Sequence, residues 1–416
     1  MVVGLRQLAK NLREAYVRNV NTHGPDQGVN VFRQGVSAVR KKIGDNAMSL
    51  RALAEGIMGE GWSERYRKGC MHLQQGLRES SAAVDVSAFS NITGQLLVDR
   101  IRDNYDSPKF IGDKLFEIAP VTGGNLGLHR EPWLSRVRHD PGLLNPQQHY
   151  TETDFIEQYI DLPALEKRGL KCSISMEMIF ADKTKQAMNR ADDIGFRLRY
   201  NREERQLKVI IGVVNNWNYM GTGYNTYSTS NGLYINEKSG NTITNYQGVA
   251  ELELLFSNMT DFVTGKAILV DPAGMQILHV PYKTPELKIA LHAARTRAGA
   301  YPTSGATNAQ QEIDSVPLIN DVDYPLLNSA ILWHLLTDSV AAGGQAMTAA
   351  NAKEHIWMGH FKKAFIYREA MPFTTAQAPP GNPAEFDQDI AVQVKAMEWG
   401  VAAVQDPRQV VHSYAS

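Results

Sequence analysis

The chain has 416 residues, of which 43% are hydrophobic and 21% charged, and its net charge is -1. That length holds two or three domains with a substantial core, and the composition is ordinary for a globular protein. Two cysteines, Cys70 and Cys172, make no disulfide framework and no metal-ligand set, and no apolar run approaches the ~20 residues of a membrane helix. Arg6 follows the start too closely for a secretory signal, so synthesis and use in the cytoplasm are expected.

The near-neutral total hides an asymmetry. Residues 1–80 carry 13 Lys and Arg against 7 Asp and Glu, a balance of +6, and the rest carries 30 against 37, a balance of -7. A basic arm on an acidic body docks on an acidic neighbour or seeks nucleic acid. Its short basic runs, Arg40-Lys41-Lys42 and Arg65-Tyr66-Arg67-Lys68, belong to no DNA-reading motif.

Residues 1–88 read as a helical, loosely tethered arm. Leu5, Leu8, Leu12 and Tyr16 recur at helical spacing, glycines interrupt around Gly24, Gly28 and Gly35, and amphipathic pieces cover about 49–58 and 63–77. Helices this short are marginal alone and need a surface. The core begins near Phe89, with Thr93 as N-cap of a helix that runs through Tyr105 and stops at Ser107-Pro108.

Residues 121–165 hold Gly123-Gly124, Gly127, Pro132, Pro141, Gly142 and Pro146, and so cannot form one regular element. An excursion this long within a domain tends to be functional. Arg130, Arg136, Arg138 and His129 fall on its first limb, and Glu152, Asp154, Glu157 and Asp161 on its return. Such opposed charges suit pairing between the limbs or salt bridges onto an adjacent subunit, setting register more than strength.

The strongest helix spans about 182–206, with Ala187, Ala191, Ile194 and Leu198 on one apolar face. Its other face is dense in charge, including Arg197, Arg199, Arg202, Glu203 and Glu204. A solvated face is the expected reading, with the cationic end as a candidate DNA-facing surface. Residues 215–245 turn polar, and Gly221-Thr222-Gly223 lacks the third glycine of a dinucleotide loop and any following Gly-Lys-Ser/Thr, so a mobile surface loop is expected. A helix over 247–262, strands over 266–270 and 275–280 around the turn Asp271-Pro272-Ala273-Gly274, and a helix over 284–297 complete this region.

No catalytic constellation emerges. His355 and His360 are five apart, not the four of a His-Glu-x-x-His site, and His334 sits in an apolar run as a core or interface residue. Gly-x-Ser-x-Gly is absent. Asp387 and Asp389 share a strand face and fit solvent or a neighbour's arginine better than a cation. No catalytic, cofactor or metal residue is therefore nominated, no cofactor is expected, and the chain does not read as an enzyme.

The last quarter carries the most information. The block Gly359-His360-Phe361-Lys362-Lys363-Ala364-Phe365-Ile366-Tyr367-Arg368 reads as one long strand. A second block over 386–408 follows, with Ile390, Val392 and Val394 on one face, and ends Gly400-Val401-Ala402-Ala403-Val404-Gln405-Asp406-Pro407-Arg408. This arrangement resembles the end of tailed-phage major capsid proteins of the Hong Kong 97 type, where a strand beginning Gly-Asp-Phe precedes a long return strand closing on Asp-Pro. The resemblance covers residues 89–411.

It implies an α+β capsid fold: an N-terminal arm (1–88), the start of a peripheral domain (89–120), an extended loop hairpin (121–165), the peripheral domain with its long spine helix (166–214), an axial domain (215–385), and a return strand with the C-terminus (386–416). Ser315-Val316-Pro317 sits where the family has Gly-x-Pro-Val, without the Gly. Some such capsids cross-link through a lysine in the extended loop; none lies between Lys114 and Lys167, so covalent chain-mail is not expected.

The function implied is that of a major capsid protein, assembling with itself as pentamers and hexamers into an icosahedral virion shell around double-stranded DNA, in the host cytoplasm and with no membrane. Portal, scaffold and decoration proteins are implied further partners. The inter-subunit contact candidates are Arg130, Arg136, Arg138, Glu152, Asp154, Glu157 and Asp161, and the DNA-facing candidates are Arg197, Arg199, Arg202, Arg40, Lys41 and Lys42. An encapsulin-like shell around an enzyme is the alternative.

Overall fold

The computed structural model describes residues 2–43, 49–121, 127–136, 138, 143, 149–150, 152–153, 155–213, 217–230, 232–244, 246–296, 324–338, 348–380 and 389–415. In chain order the elements are α1 (Val2–His23), α2 (Pro25–Ile43), α3 (Leu50–Met58), α4 (Trp62–Gln74), α5 (Ser81–Tyr105), α6 (Gly112–Leu115), β1 (Glu117–Pro120), β2 (His129–Leu134), β3 (Glu157–Leu162), β4 (Glu166–Ser175), α7 (Met176–Phe180) and α8 (Thr184–Ile210). There follow β5 (Trp217–Tyr219), β6 (Thr222–Tyr224), β7 (Glu237–Ser239), α9 (Tyr246–Ser257), β8 (Gln276–His279), α10 (Thr284–Thr296), β9 (Leu326–Asn328) and α11 (Ala330–Thr337). The chain closes with α12 (Ala349–Ala352), β10 (Ile356–Gly359), α13 (Phe361–Ala364), β11 (Phe365–Gln377), β12 (Ile390–Val404) and β13 (Val410–Tyr414). Two compact units divide the chain: 1–107, 167–200 and 371–399 form one, and 108–166, 201–370 and 400–416 the other.

The first unit is built on α5. Ser80 caps it, its hydroxyl accepting from the Ala83 N–H, so the helix begins twelve residues before the expected cap Thr93, which is fully buried in mid-helix. The sequence missed this because residues 88–94 are buried all round the circumference, which erases the 3.6-residue period. The stop after Tyr105 is as expected.

The arm is not loosely tethered. Ala9, Tyr16, Phe32, Val36, Leu53, Trp62 and Tyr66 share one apolar core with Phe89, Leu97, Ala187, Ala191, Leu198, Val392 and Val394. Burial of each large side chain contributes about 1.5–3 kcal/mol, which offsets the cost of ordering short helices. Of the three glycines, only Gly24, with φ 82°, separates two helices, and α2 runs unbroken through Gly28 and Gly35. Gly28 serves a close approach instead, since a Cβ there would lie 2.4 Å from the Asn19 carbonyl oxygen of α1. The amphipathic piece expected over about 49–58 is α3, and Ser49 caps it, its hydroxyl accepting from the Ala52 N–H.

In the same unit α8 begins at Thr184, not 182, because Asp182 stands at φ 49° outside the helical region. The Asp182 carboxylate accepts from the Ser49 and Thr184 hydroxyls, 2.9 and 2.8 Å away. Strand β12 packs beside β4, and the Tyr66 hydroxyl donates to its Ala391 carbonyl at 3.0 Å. Val392, Val394 and Ala396 are buried as the period-two reading requires, but so is Ala391 on the other face.

The second unit holds two separate sheets and the margin of a third. One runs β7-β13-β10-β8-β9 and another β2-β3-β5-β6, while β1 lies parallel to the first residues of β11. In the polar stretch, the described residues 217–230 and 232–244 are anchored to the core, not a free surface loop: Trp217 on β5 is fully buried, and Asn236 donates to the Thr226 and Pro407 carbonyls at 2.9 Å each. Met220 (φ 51°) and Gly221 (φ 80°) form the two-residue turn between β5 and β6, a geometry that demands positive φ and accounts for the glycine.

Other corrections are local. The Gly359–Arg368 block is two strands split by the turn of helix α13, and the His360 backbone takes no part in either strand. Residues 266–270 make only a bridge, Ala267 to Thr260, and α9 stops at Ser257. His334 faces solvent on α11 and is not a core residue. Residues 315–319 and Asp387 lie outside the described residues.

Candidate functional site

The hairpin β2–β3 is the most distinctive surface feature of the second unit. Its strands pair antiparallel from His129↔Leu162 to Leu134↔Glu157, which puts Arg130 opposite Asp161. Arg130 Nε donates to the Asp161 carboxylate at 3.0 Å, and its guanidinium lies 3.9 Å from the centre of the Tyr159 ring. The limb-to-limb alternative therefore holds for this pair, and the carboxylate raises the affinity of Arg130 for its proton. Beyond the ladder, the Ser135 N–H donates to the Ile156 carbonyl at 3.1 Å, and the Ile156 N–H to the Ser135 hydroxyl at 3.0 Å. These bonds continue the register toward the tip.

The other contact candidates are not brought together. Arg136, Arg138, Glu152 and Glu157 are exposed, and Asp154 lies outside the described residues. Leu134, Leu143, Tyr150 and Phe155 accompany them, with Leu143 93% exposed. An excursion presenting large apolar side chains beside exposed charges has the composition of an interaction surface.

Burial removes two of the DNA-facing candidates. Arg197 is exposed and forms a 3.4 Å pair with Asp193. Arg199 is 7% exposed and lies over the Tyr105 ring. Arg202 is buried between Asp113 and Glu369, at 3.0 and 2.8 Å, with its guanidinium over the Tyr367 ring. Glu203, also buried, accepts from the Ile111 and Gly112 N–H groups at the start of α6. The side chains of Arg40, Lys41 and Lys42, at the end of α2, lie outside the described residues.

Sequence reasoning missed a cationic clasp in the second unit. Arg408 pairs with Asp406 at 2.8 Å and sits over the rings of Phe262 and Trp133, 4.1 and 4.8 Å away. The Asp-Pro-Arg run is a turn whose arginine returns onto its own aspartate, so the signal was present but read only as a strand end. A cleft of about 320 Å³ opens beside Trp133, Ile160 and Gln405. In the first unit a cleft of about 680 Å³ is walled by Trp62, Tyr66, Met71 and Phe180.

The histidines weighed as ligands go separate ways: His355 is buried against His412, and His360 Nε2 lies 2.6 Å from the Asp271 carbonyl. Among the described residues no three His, Cys, Asp or Glu converge on a metal position, and no helix is long and apolar enough to cross a membrane.

No protein-family model matches the chain, and no curated protein matches it. Solved structures similar to it include the capsid of the cyanophage P-SCSP1u, at 12% identity and a TM-score of 0.45, covering 74% of this chain and 88% of that one. The capsid of cyanophage Pam1 superposes at 15% identity and 0.42, covering 72% and 88%. The structure of Gordonia phage Cozz superposes at 13% and 0.41, covering 74% and 87%.

Proposed function

We propose that the chain is a shell-building subunit of the tailed-phage capsid type, acting by assembly and not by catalysis. The observation that carries this reading is the β2–β3 excursion, a hairpin held in register by its backbone ladder, with Arg130 paired to Asp161 across it, yet bearing exposed Leu134, Leu143, Tyr150 and Phe155. A stand-alone protein has no use for such a load of apolar side chains in water. Laid on a neighbouring copy, the hairpin enlarges the interface beyond what compact bodies offer. The 27-residue helix α8 and the 15-residue strand β12 support the same reading, since a spine helix and a return strand are what the sequence resemblance implies.

In this reading the copies form pentamers and hexamers through repeated contacts that close into a shell. Arg136, Arg138, Glu152, Asp154 and Glu157 serve between copies, and Arg197, Arg40, Lys41 and Lys42 are the cations left for non-specific contact with packaged double-stranded DNA. Portal, scaffold and decoration proteins are the further partners, and the virion is the site of action.

Electron microscopy and mass photometry of the expressed chain test the proposal. Closed shells or capsomer rings of uniform size are expected, from the chain alone or after co-expression with a phage scaffold. A monomer under both conditions would overturn it.

A further inference from the structure

Two buried imidazoles that no assembly role uses stand at one side of the five-stranded sheet. His355, just before β10, and His412, in β13, are 7% and 6% exposed, and His355 Nδ1 lies 2.9 Å from His412 Nε2. The other nitrogen of His412, Nδ1, lies 3.1 Å from an oxygen of Glu237, its register partner on the outer strand β7. A nitrogen–nitrogen hydrogen bond needs one hydrogen and one lone pair, and a carboxylate only accepts. His412 therefore carries its hydrogen on Nδ1, offers a lone pair at Nε2, and receives the N–H of His355. Flat neighbours hold both rings: Trp357 stacks on His412 at 4.9 Å and Tyr414 on His355 at 5.3 Å, each within 8° of parallel.

We propose that this His355–His412–Glu237 chain is an acid-sensitive clasp that holds the β10, β13 and β7 margin of the sheet and releases it on proton uptake. The chain is complete with two neutral rings and one carboxylate. A proton on His412 Nε2 sets two N–H donors head to head, and one on His355 Nε2 creates a buried cation. Charged groups on the surrounding elements are engaged elsewhere: Lys238 of β7 with Glu251 of α9 at 3.3 Å, Lys283 with Glu354 at 2.7 Å, and Arg408 with Asp406 at 2.8 Å. Of the tyrosine rings against His412, Tyr414 at 5.2 Å and Tyr227 at 5.1 Å, Tyr227 is held protonated by burial.

Burial, and then the neighbouring ring, depress His355 to about 3, and burial depresses His412 in spite of Glu237. The unfolded or opened state, with ordinary histidines near 6.5, binds the extra proton first. The clasp is thus intact above about pH 6.5 and lost progressively as pH falls toward 3. At about pH 5, His355 alone multiplies the opening equilibrium by about 30.

Hydrogen exchange read by mass spectrometry on the full chain, corrected for intrinsic rates, tests this. Between about pH 7.5 and 5, protection of residues 353–359 and 410–415 should fall about 30-fold while that of 184–200 holds. His355→Gln, whose amide still donates to His412 but does not titrate, removes the share of that fall due to His355 and should lose clearly less protection than the unaltered chain, the remainder being the share of His412. Equal loss in both chains, or none in the unaltered one, overturns the proposal. Should the variant not fold, 15N-histidine spectra of the unaltered chain, with the His355 and His412 rings assigned, decide: both rings neutral through about pH 6 are expected, and either of these two titrating near 6.5 in the folded chain overturns the clasp.

Discussion

The last two turns of α8 and the β2–β3 excursion are alike in composition and opposite in fate. Both are rich in arginine and carboxylates, but Arg202 and Glu203 are 3% and 0% exposed, whereas Arg136, Arg138 and Glu152 stand in water. What separates them is supply of partners. Arg202 meets Asp113 and Glu369, 89 and 167 residues away in the chain, and Glu203 meets two N–H groups at a helix start. Charge density alone does not mark a surface. It marks either a solvated face or a buried network, and the partners that decide between them lie far off in sequence.

Substitutions sharpen the contrast. The largest effect is expected at Arg202: Arg202→Met removes the buried cation that pairs with both Asp113 and Glu369 and costs about 3–5 kcal/mol, read by chemical denaturation of the full chain. Glu203→Ala strands two N–H groups and costs about 1–3 kcal/mol in the same assay. Arg130→Gln removes an exposed pair and should leave global stability nearly unchanged, with hairpin register, read by hydrogen exchange of residues 157–162, as the finer gauge. The smallest stability effect belongs to the tip, where Arg136→Ala with Arg138→Ala should stay within about 0.5 kcal/mol. Particle yield, counted by mass photometry, should nevertheless drop for the tip variant and not for wild type. A tip variant that assembles normally would break the comparison, since the excursion would then be surface without purpose.

Legibility followed the same division. The long helix α8, the amphipathic α3, the stop after Tyr105 and the Val392–Val394 alternation of β12 could be read from period and punctuation. The start of α5 could not, because Ala88, Phe89, Ile92, Thr93 and Leu96 are buried on every side. The short strands β5 and β6 were hidden by their polarity, and only Trp217, 0% exposed, hinted at a core there. The opposed charges of the excursion predicted a pairing, yet which arginine met which aspartate was fixed by ladder register. The His355–His412 contact joins residues 57 apart on neighbouring strands, and no spacing rule reaches that far.

Pro132 sits in β2, the outermost strand of its sheet, opposite Tyr159. Having no N–H, proline interrupts the row of donors that a bare strand margin would offer to another chain. Copies crowded together at high local concentration are thereby discouraged from fusing their sheets edge to edge, the route that leads to amyloid-like growth. In the proposed shell, the excursion can be grasped through its side chains but resists being extended through its backbone.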